Sequence, residues 1–228
     1  MVDFHSHILP RMDDGSRSLE ISFAMLKTEA QQGVDRMIAT PHFYGDRDSM
    51  EDFLERRQRS YQSMMAAKPG VQVMLGSEVF YFNGIGKADA IRRLCIEGTD
   101  VILLELPFGQ WNREIYENVK NLIEVQKLTV VLAHVERFYK FQKNPSIWEQ
   151  MMELPLYWQM NTGSFLDWKR RKTALRLLRE RKSVLLGSDC HNMELRSPNL
   201  AAGRAVIDKK LGKAYLGRID RLSEEVLL

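Results

Sequence analysis

Residues 129–134 read Thr129-Val-Val-Leu-Ala-His134, a short and almost wholly apolar run that ends on a histidine. Such a run has the length and composition of a buried strand. Working outward from it, comparable runs occur at Val2–Phe4, Arg36–Ala39, Gln72–Leu75, Val101–Leu104, Leu156–Met160 and Ser183–Leu186, giving seven candidate strands with helix-like stretches between them. Several of the helices have legible starts. Ser18 is placed to cap a helix that runs toward Gly33, and Ser49 precedes the first-turn acids Glu51 and Asp52. Asn144-Pro145 and Ser197-Pro198 each read as a cap followed by proline at the first helical position. Strands alternating with helices predict parallel pairing and right-handed crossovers. The expected fold is α/β, a distorted seven-stranded (β/α)7 barrel in one domain over residues 1–228; an open doubly wound sheet is the second choice.

Composition narrows the function. Of 228 residues, 44% are hydrophobic and 28% charged, so a packed core is expected. A net charge of +3 gives no ground for nucleic-acid binding. The densest basic stretch, Lys169 to Lys172 with Arg176, Arg179, Arg181 and Lys182, is interleaved with Leu175, Leu177 and Leu178 and reads as the solvated face of an amphipathic helix. Cys95 and Cys190 have no paired spacing, the N-terminus lacks a signal-peptide pattern, and no apolar run approaches about 18 residues. A cytoplasmic protein without direct membrane insertion is the expectation.

All five histidines, His5, His7, His42, His134 and His191, fall just after candidate strands, and Glu78, Glu105 and Asp189 fall in the same kind of place. In an α/β barrel the loops after the strands share one face, so these residues converge there. His5 and His7 stand two apart on an extended segment and point the same way; Asp189 and His191 repeat the pattern. Asp3 is placed to orient a ligand from behind. Glu105, flanked by Leu103, Leu104, Leu106 and Pro107, needs a cation or an arginine beside it. Asp13-Asp14-Gly15 reads as a turn next to the first two histidines. Eight or more nitrogen and oxygen donors exceed the needs of one ion. Two or three divalent ions are expected, roughly 3.5–4 Å apart where they form a pair. Imidazole and carboxylate without thiolate suit Mn²⁺, Fe²⁺ or Zn²⁺.

Taken in order, Asp3-x-His5-x-His7, Thr40-Pro41-His42, Gly76-Ser77-Glu78, His134 and Ser188-Asp189-x-His191 resemble the polymerase and histidinol phosphatase (PHP) family. His5-Ser-His7-Ile-Leu-Pro with Asp13-Asp14-Gly15, and His134-Val-Glu136-Arg137-Phe, are most similar to its manganese-dependent protein-tyrosine phosphatases of bacterial capsule and exopolysaccharide loci. The resemblance implies a trinuclear site. One ion would take His5, His7, Glu78 and Asp189, a second Glu78, Glu105 and His134, and a third Asp14, His42 and His191. It further implies Arg137 and Arg196 as phosphate-binding catalytic residues beside Asp189, and the phosphotyrosine-bearing tail of a bacterial tyrosine kinase as partner. Two departures occur: Arg11-Met12 stands where the family has glycine, and Val135 where it has proline. Neither removes a ligand, and Arg11 adds a third candidate for the phosphate.

The reaction expected is hydrolysis of a phosphate monoester. Its rivals are a small-molecule phosphatase of histidinol-phosphate type, a non-catalytic metal-stabilised binding module, and a cysteine-dependent tyrosine phosphatase built on the Cys190-x5-Arg196 spacing. The last is disfavoured because the intervening residues contain no glycine and include Glu194.

Overall fold

Each of the seven apolar runs becomes a strand in the computed structural model, which describes residues 1–66 and 70–228. They are β1 (Val2–Ser6), β2 (Arg36–Ala39), β4 (Gln72–Leu75), β6 (Val101–Glu105), β7 (Thr129–Leu132), β8 (Tyr157–Asn161) and β9 (Val184–Gly187). Two further strands, β3 (His42–Tyr44) and β5 (Glu78–Phe80), follow β2 and β4 after a two-residue interruption. Nine strands therefore stand among the described residues where seven were expected. The interruptions have local causes. Pro41 has no N–H to offer a ladder. At Gly76-Ser77 the Arg57 guanidinium donates to the Gly76 carbonyl at 2.8 Å and to Ser77 Oγ at 2.7 Å.

The fold is mixed α/β with parallel sheets. One sheet has the order β1-β2-β4 and the other β3-β5-β6-β7-β8-β9, and every strand pair is parallel. The first and last strands also meet, through a parallel bridge between Ser6 and Cys190. His7 N donates to Cys190 O and Asp189 N to His5 O there, both at 2.9 Å. With all strands running one way, the segments that follow them emerge on one side.

Nine α-helices are described: α1 (Leu19–Gln31), α2 (Met50–Met65), α3 (Arg113–Glu124), α4 (Val135–Phe138), α5 (Pro145–Glu153), α6 (Gly163–Leu166), α7 (Arg171–Glu180), α8 (Leu200–Leu211) and α9 (Lys213–Glu225). Ser18, Ser49 and Asn144 cap α1, α2 and α5 through their side chains, as the sequence suggests. Ser197-Pro198 does not begin a helix: α8 starts at Leu200, and the Asn199 side chain before it accepts from Thr162 Oγ1 instead. The basic stretch is largely an outer face, since α7 buries Ala174, Leu175, Leu177 and Leu178. Arg181 departs from that reading, because its guanidinium donates to the carbonyls of Met152, Leu154 and Leu156.

Side-chain alternation divides the core in two. Ile102, Leu104, Val130, Leu132, Val184 and Leu186 join the large cluster packed by the helices. Val101, Leu103, Val131, Ala133 and Leu185 form a smaller cluster with Val2, Phe4 and Ile38. In β1 the register shifts between Asp3 and Ser6, a bulge-like irregularity that re-aims side chains. Phe4 joins the smaller cluster while His5 still reaches Gln159 on β8.

Candidate metal centre

Glu78, at the start of β5 and almost fully buried, lies at the middle of a ring of imidazoles. Its Oε2 lies 3.2 Å from His5 Nε2, 3.2 Å from His7 Nε2 and 3.1 Å from His42 Nδ1, and its Oε1 lies 2.9 Å from His134 Nε2. Asp189 Oδ1 approaches His5 Nε2 at 3.6 Å, His7 Nε2 at 3.5 Å and His191 Nδ1 at 3.6 Å. Glu105 stands 3.3 Å from His134 Nε2 and 3.8 Å from His42 Nδ1. Among the described residues it has no arginine within ion-pair distance, so histidines meet its need for positive charge. Asp14, 65% exposed on its loop, reaches His42 Nε2 at 3.6 Å and His191 Nε2 at 3.4 Å.

The tautomers follow from the outer hydrogen bonds. His5 Nδ1 is 3.0 Å from Gln159 Oε1, His7 Nδ1 is 2.7 Å from Asp13 Oδ2, and His191 Nδ1 is 3.0 Å from the Asp189 carbonyl. Each of these partners is an acceptor, so Nδ1 carries the hydrogen and Nε2 presents a lone pair inward. His5 Nε2 and His7 Nε2 consequently face each other at 3.1 Å, two lone pairs beside two carboxylates. His42 Nδ1, His134 Nδ1 and His191 Nε2 are buried with no hydrogen-bond partner. A pocket of inward lone pairs and carboxylate oxygens is the donor chemistry that divalent cations satisfy, so the residues present fit such ions.

Charge regulation differs from ring to ring, leaving one imidazole bare and favouring a proton on another. Burial, and then the neighbouring His7, lower His191 to about 3, which keeps its Nε2 bare. Burial also opposes a proton on His134, yet the hydrogen bonds to Glu105 and Glu78 prevail and raise it to about 9. Burial of Asp189 favours its neutral form, but His5 and His7 hold it well below the usual carboxylate range.

At this centre three groups of donors have atoms within 4.8 Å of one another: His5, His7 and Asp189; His7, Asp14, His42 and His191; and His42, Glu78 and Glu105. Eight of the nine expected ligand residues fall in these groups, and His134 adjoins them through Glu78 and Glu105. Their partition differs in detail, since His7 joins the Asp14 group and His42 joins the Glu78–Glu105 group. Asp13 and Asp14 separate cleanly. Asp13 turns away to accept from His7 Nδ1, His42 N and Gly15 N, while Asp14 faces the imidazoles. Asp3 accepts from His5 N, Ser188 N and Ser188 Oγ, so it braces backbone between β1 and β9 and touches no imidazole.

Two of the ligand candidates are held in the left-handed backbone region, His134 at φ 32° and Asp189 at φ 54°. Such positions are uncommon outside glycine, and they aim these side chains where the strands end. Gly187 on β9 is required by close approach: a Cβ there would stand 2.6 Å from His5 Cβ and 2.7 Å from Gln159 Nε2.

A cavity of about 250 Å³ opens over the centre and is lined by Glu78, Glu105, His134, Arg137, Asp189 and Arg196 among others. Arg196 Nη2 bonds Asp189 Oδ2 at 2.7 Å, and Arg137 Nη1 lies 3.7 Å from the same oxygen. Arg11 is not brought there. It is exposed, with its Nε directed to the Arg17 carbonyl at 3.4 Å. Cys190 is fully buried, and burial followed by the charge of Asp3 pushes its thiol up, contrary to what a thiolate nucleophile needs.

Gln159, Asn161 and Phe108 went unread in the sequence. Gln159 Oε1 accepts from His134 N at 2.7 Å as well as from His5, and Asn161 Nδ2 donates to Asp189 Oδ2 at 2.7 Å. Two amides at alternate positions of an otherwise apolar strand were the available signal. Phe108 stacks on His134 with ring centroids 5.9 Å apart and carries the Arg137 guanidinium over its ring at 4.9 Å.

Comparison with known proteins agrees with this geometry. Residues 1–228 match the family described as capsular polysaccharide synthesis, CpsB/CapC. The tyrosine-protein phosphatase YwqE of Bacillus subtilis (strain 168) is 28% identical over 218 residues, covering 93% of this chain and 85% of the relative. The tyrosine-protein phosphatase CpsB of Streptococcus agalactiae serotype III (strain NEM316) is 25% identical over 224 residues, covering 93% and 92%. Among solved structures, one from the work on YwqE of Bacillus subtilis and CpsB of Streptococcus pneumoniae, metal-dependent tyrosine phosphatases, superposes with a TM-score of 0.85 at 26% identity, covering 100% and 94%. A mutant organophosphorus hydrolase from Deinococcus radiodurans, at 12% identity and a TM-score of 0.54 over 96% and 89%, shares the fold alone.

Proposed function

The chain belongs to the CpsB/CapC family of capsular polysaccharide synthesis, and from that premise we propose that it is a metal-dependent tyrosine-protein phosphatase. The observation that carries the reading is the set of fixed tautomers. His5, His7 and His191 are each bonded at Nδ1, so that Nε2 of His5 and of His7 faces Glu78 and Asp189 while Nε2 of His191 faces Asp14. We take His5, His7, Asp14, His42, Glu78, Glu105, His134, Asp189 and His191 as ligands of two or three ions, Mn²⁺ foremost. When bound, such ions lower the pKa of water toward neutrality and stabilise negative charge on phosphoryl oxygens.

The remaining chemistry belongs to the chain. Arg137 and Arg196 border the cavity as fixed cations, and their forked donors suit a phosphoryl group bidentately. Both are drawn toward Asp189 Oδ2 in this structure, so Asp189 sets their aim. Asp189, held ionised, serves as ligand and as the anchor of the two arginines, and is poorly suited to give a proton away. A phenol leaves with a conjugate-acid pKa near ~10, which asks little acid assistance. The strands fit one further reading: β2 with β3, and β4 with β5, are each one kinked stave. Seven staves then close at the Ser6–Cys190 bridge into a distorted barrel, one domain over residues 1–228.

The partner we infer is the phosphotyrosine-bearing tail of a bacterial tyrosine kinase, met in the cytoplasm. Among the described residues, no helix is long and apolar enough to cross a membrane. The test is a side-by-side assay with added Mn²⁺ of phosphotyrosine peptide, phosphoserine peptide, histidinol phosphate and a nucleotide. Preference for the phosphotyrosine peptide is expected; preference for histidinol phosphate or the nucleotide overturns the protein-substrate reading.

A further inference from the structure

The opening over the metal centre continues past the phosphate-binding arginines. Arg137, Asp189 and Arg196 also line a second cavity of about 380 Å³, whose other side carries Asp167, Arg170 and Leu195. Arg137 and Arg170 then border a third, of about 340 Å³, together with Phe108 and Lys140. Arg137 lines all three openings, which adjoin one another around it as a depression in three parts.

Two exposed apolar side chains, Phe108 and Leu195, stand in its largely polar lining. Of the other exposed large hydrophobic residues described, Leu166 and Trp168 flank the lining residue Asp167 in sequence, and Met193 lies with Leu195 between β9 and α8. Trp168 is 78% exposed and Leu195 95%. Neither contributes to a core, and apolar groups gathered beside a cavity and rimmed by charges are the mark of a surface that another chain covers. The charge facing outward is positive. Of the acids in the two side cavities, Asp189 is engaged at the centre and Glu136 accepts inward from Ser164 and Asn161. Asp167 alone offsets the cations, through Arg170 at 3.2 Å.

We propose that this depression is the docking groove for the residues flanking the phosphotyrosine of a protein substrate, and that it selects an extended segment with an acidic side chain for Arg170 and an apolar one for Leu195. The inference rests on the tyrosine-phosphatase reading and adds to it what the enzyme recognises beyond the phosphoryl group. A small aryl phosphate occupies the 250 Å³ cavity alone, whereas a phosphopeptide runs on across the arginines into the groove. Leu195 and Arg170 touch none of the ligand residues by hydrogen bond or ion pair, so both can be changed without disturbing the centre.

The experiment compares wild type, Leu195→Ala and Arg170→Glu, each loaded with Mn²⁺. The substrates are para-nitrophenyl phosphate, free phosphotyrosine and two phosphotyrosine peptides of equal length, one flanked by glutamate and leucine, the other by lysine and leucine. Both variants are expected to hydrolyse para-nitrophenyl phosphate within about twofold of wild type. Wild type should prefer the acidic peptide by about fivefold in kcat/KM, and Arg170→Glu should abolish or reverse that preference. Leu195→Ala should lower both peptides by up to about tenfold, through KM. Equal wild-type rates on the two peptides overturn the proposal, as do variants that slow the small ester and the peptides in parallel. A wild-type enzyme inactive even on free phosphotyrosine refutes the phosphatase reading itself.

Discussion

Replacing Gln159 by leucine tests how the first histidine is aimed. Gln159 is fully buried; its Oε1 accepts from His5 Nδ1 at 3.0 Å and His134 N at 2.7 Å, and its Nε2 donates to Asn161 Oδ1 at 2.9 Å. Leucine fills nearly the same volume, so packing changes little. The two donors are left without an acceptor, at about 1–3 kcal/mol each, a destabilisation of roughly 2–6 kcal/mol. His5 is also freed to change tautomer, and losing the partner that orients a ligand lowers metal affinity by about 10–100-fold. Gln159→Glu keeps both accepting contacts and fails only toward Asn161, whose amide cannot turn without losing its 2.7 Å bond to Asp189. It should retain most of the affinity and fall between leucine and wild type in stability. Denaturant unfolding and calorimetric titration with Mn²⁺ read the two effects separately. A leucine variant with wild-type stability and wild-type affinity refutes the claim that Gln159 sets the His5 tautomer.

Three other outcomes follow from the same geometry. Glu105→Gln should keep the fold and lose activity by orders of magnitude, because an amide no longer offsets the charge of the ions; near-normal turnover with unchanged metal content makes Glu105 a structural acid only. Cys190→Ser should retain most activity while His191→Ala loses activity and bound metal; an inactive, fully metallated Cys190→Ser enzyme contradicts the metal reading. Glu29 in α1 is buried with both oxygens unpartnered, and burial, reinforced by Asp3, pushes it from 4.5 up to about 9. The folded protein then holds a proton that the unfolded chain releases, so this group's contribution to stability falls as pH rises from 4.5 to about 9. Glu29→Gln should flatten that slope in thermal unfolding, and a wild-type curve already as flat as the variant's rules the effect out.

Much of this architecture was legible because its signals were continuous. Runs such as Thr129–Ala133 are apolar from end to end, since their strands have apolar neighbours on both sides. The strands β3 and β5 escaped notice for the opposite reason: each is three residues long and begins on a polar site residue, His42 or Glu78. That the strand-end histidines and carboxylates gather at one place was readable from position, because polar residues that end buried strands must meet something charged. What surrounds it was not. Asp13 and Asp14 are identical side chains on one turn, and only the chain path shows which of them faces His7 Nδ1. Gln159 interrupts an apolar strand as any tolerated polar residue does, and its meaning depends on His5, 154 positions away. Arg181 looks in sequence like the basic residues of α7 before it, yet it donates to three carbonyls at the end of α5 and in the segment leading to β8. Contacts this distant leave no periodic trace.

The central claim is that this constellation works only as a metal centre. The direct measurement is to strip the protein with a chelator, return Mn²⁺ in steps, and follow bound metal by elemental analysis together with phosphotyrosine-peptide hydrolysis. The account predicts no turnover in the stripped protein and recovery complete at two or three ions bound per chain. A stripped protein that hydrolyses the peptide at the full rate contradicts it.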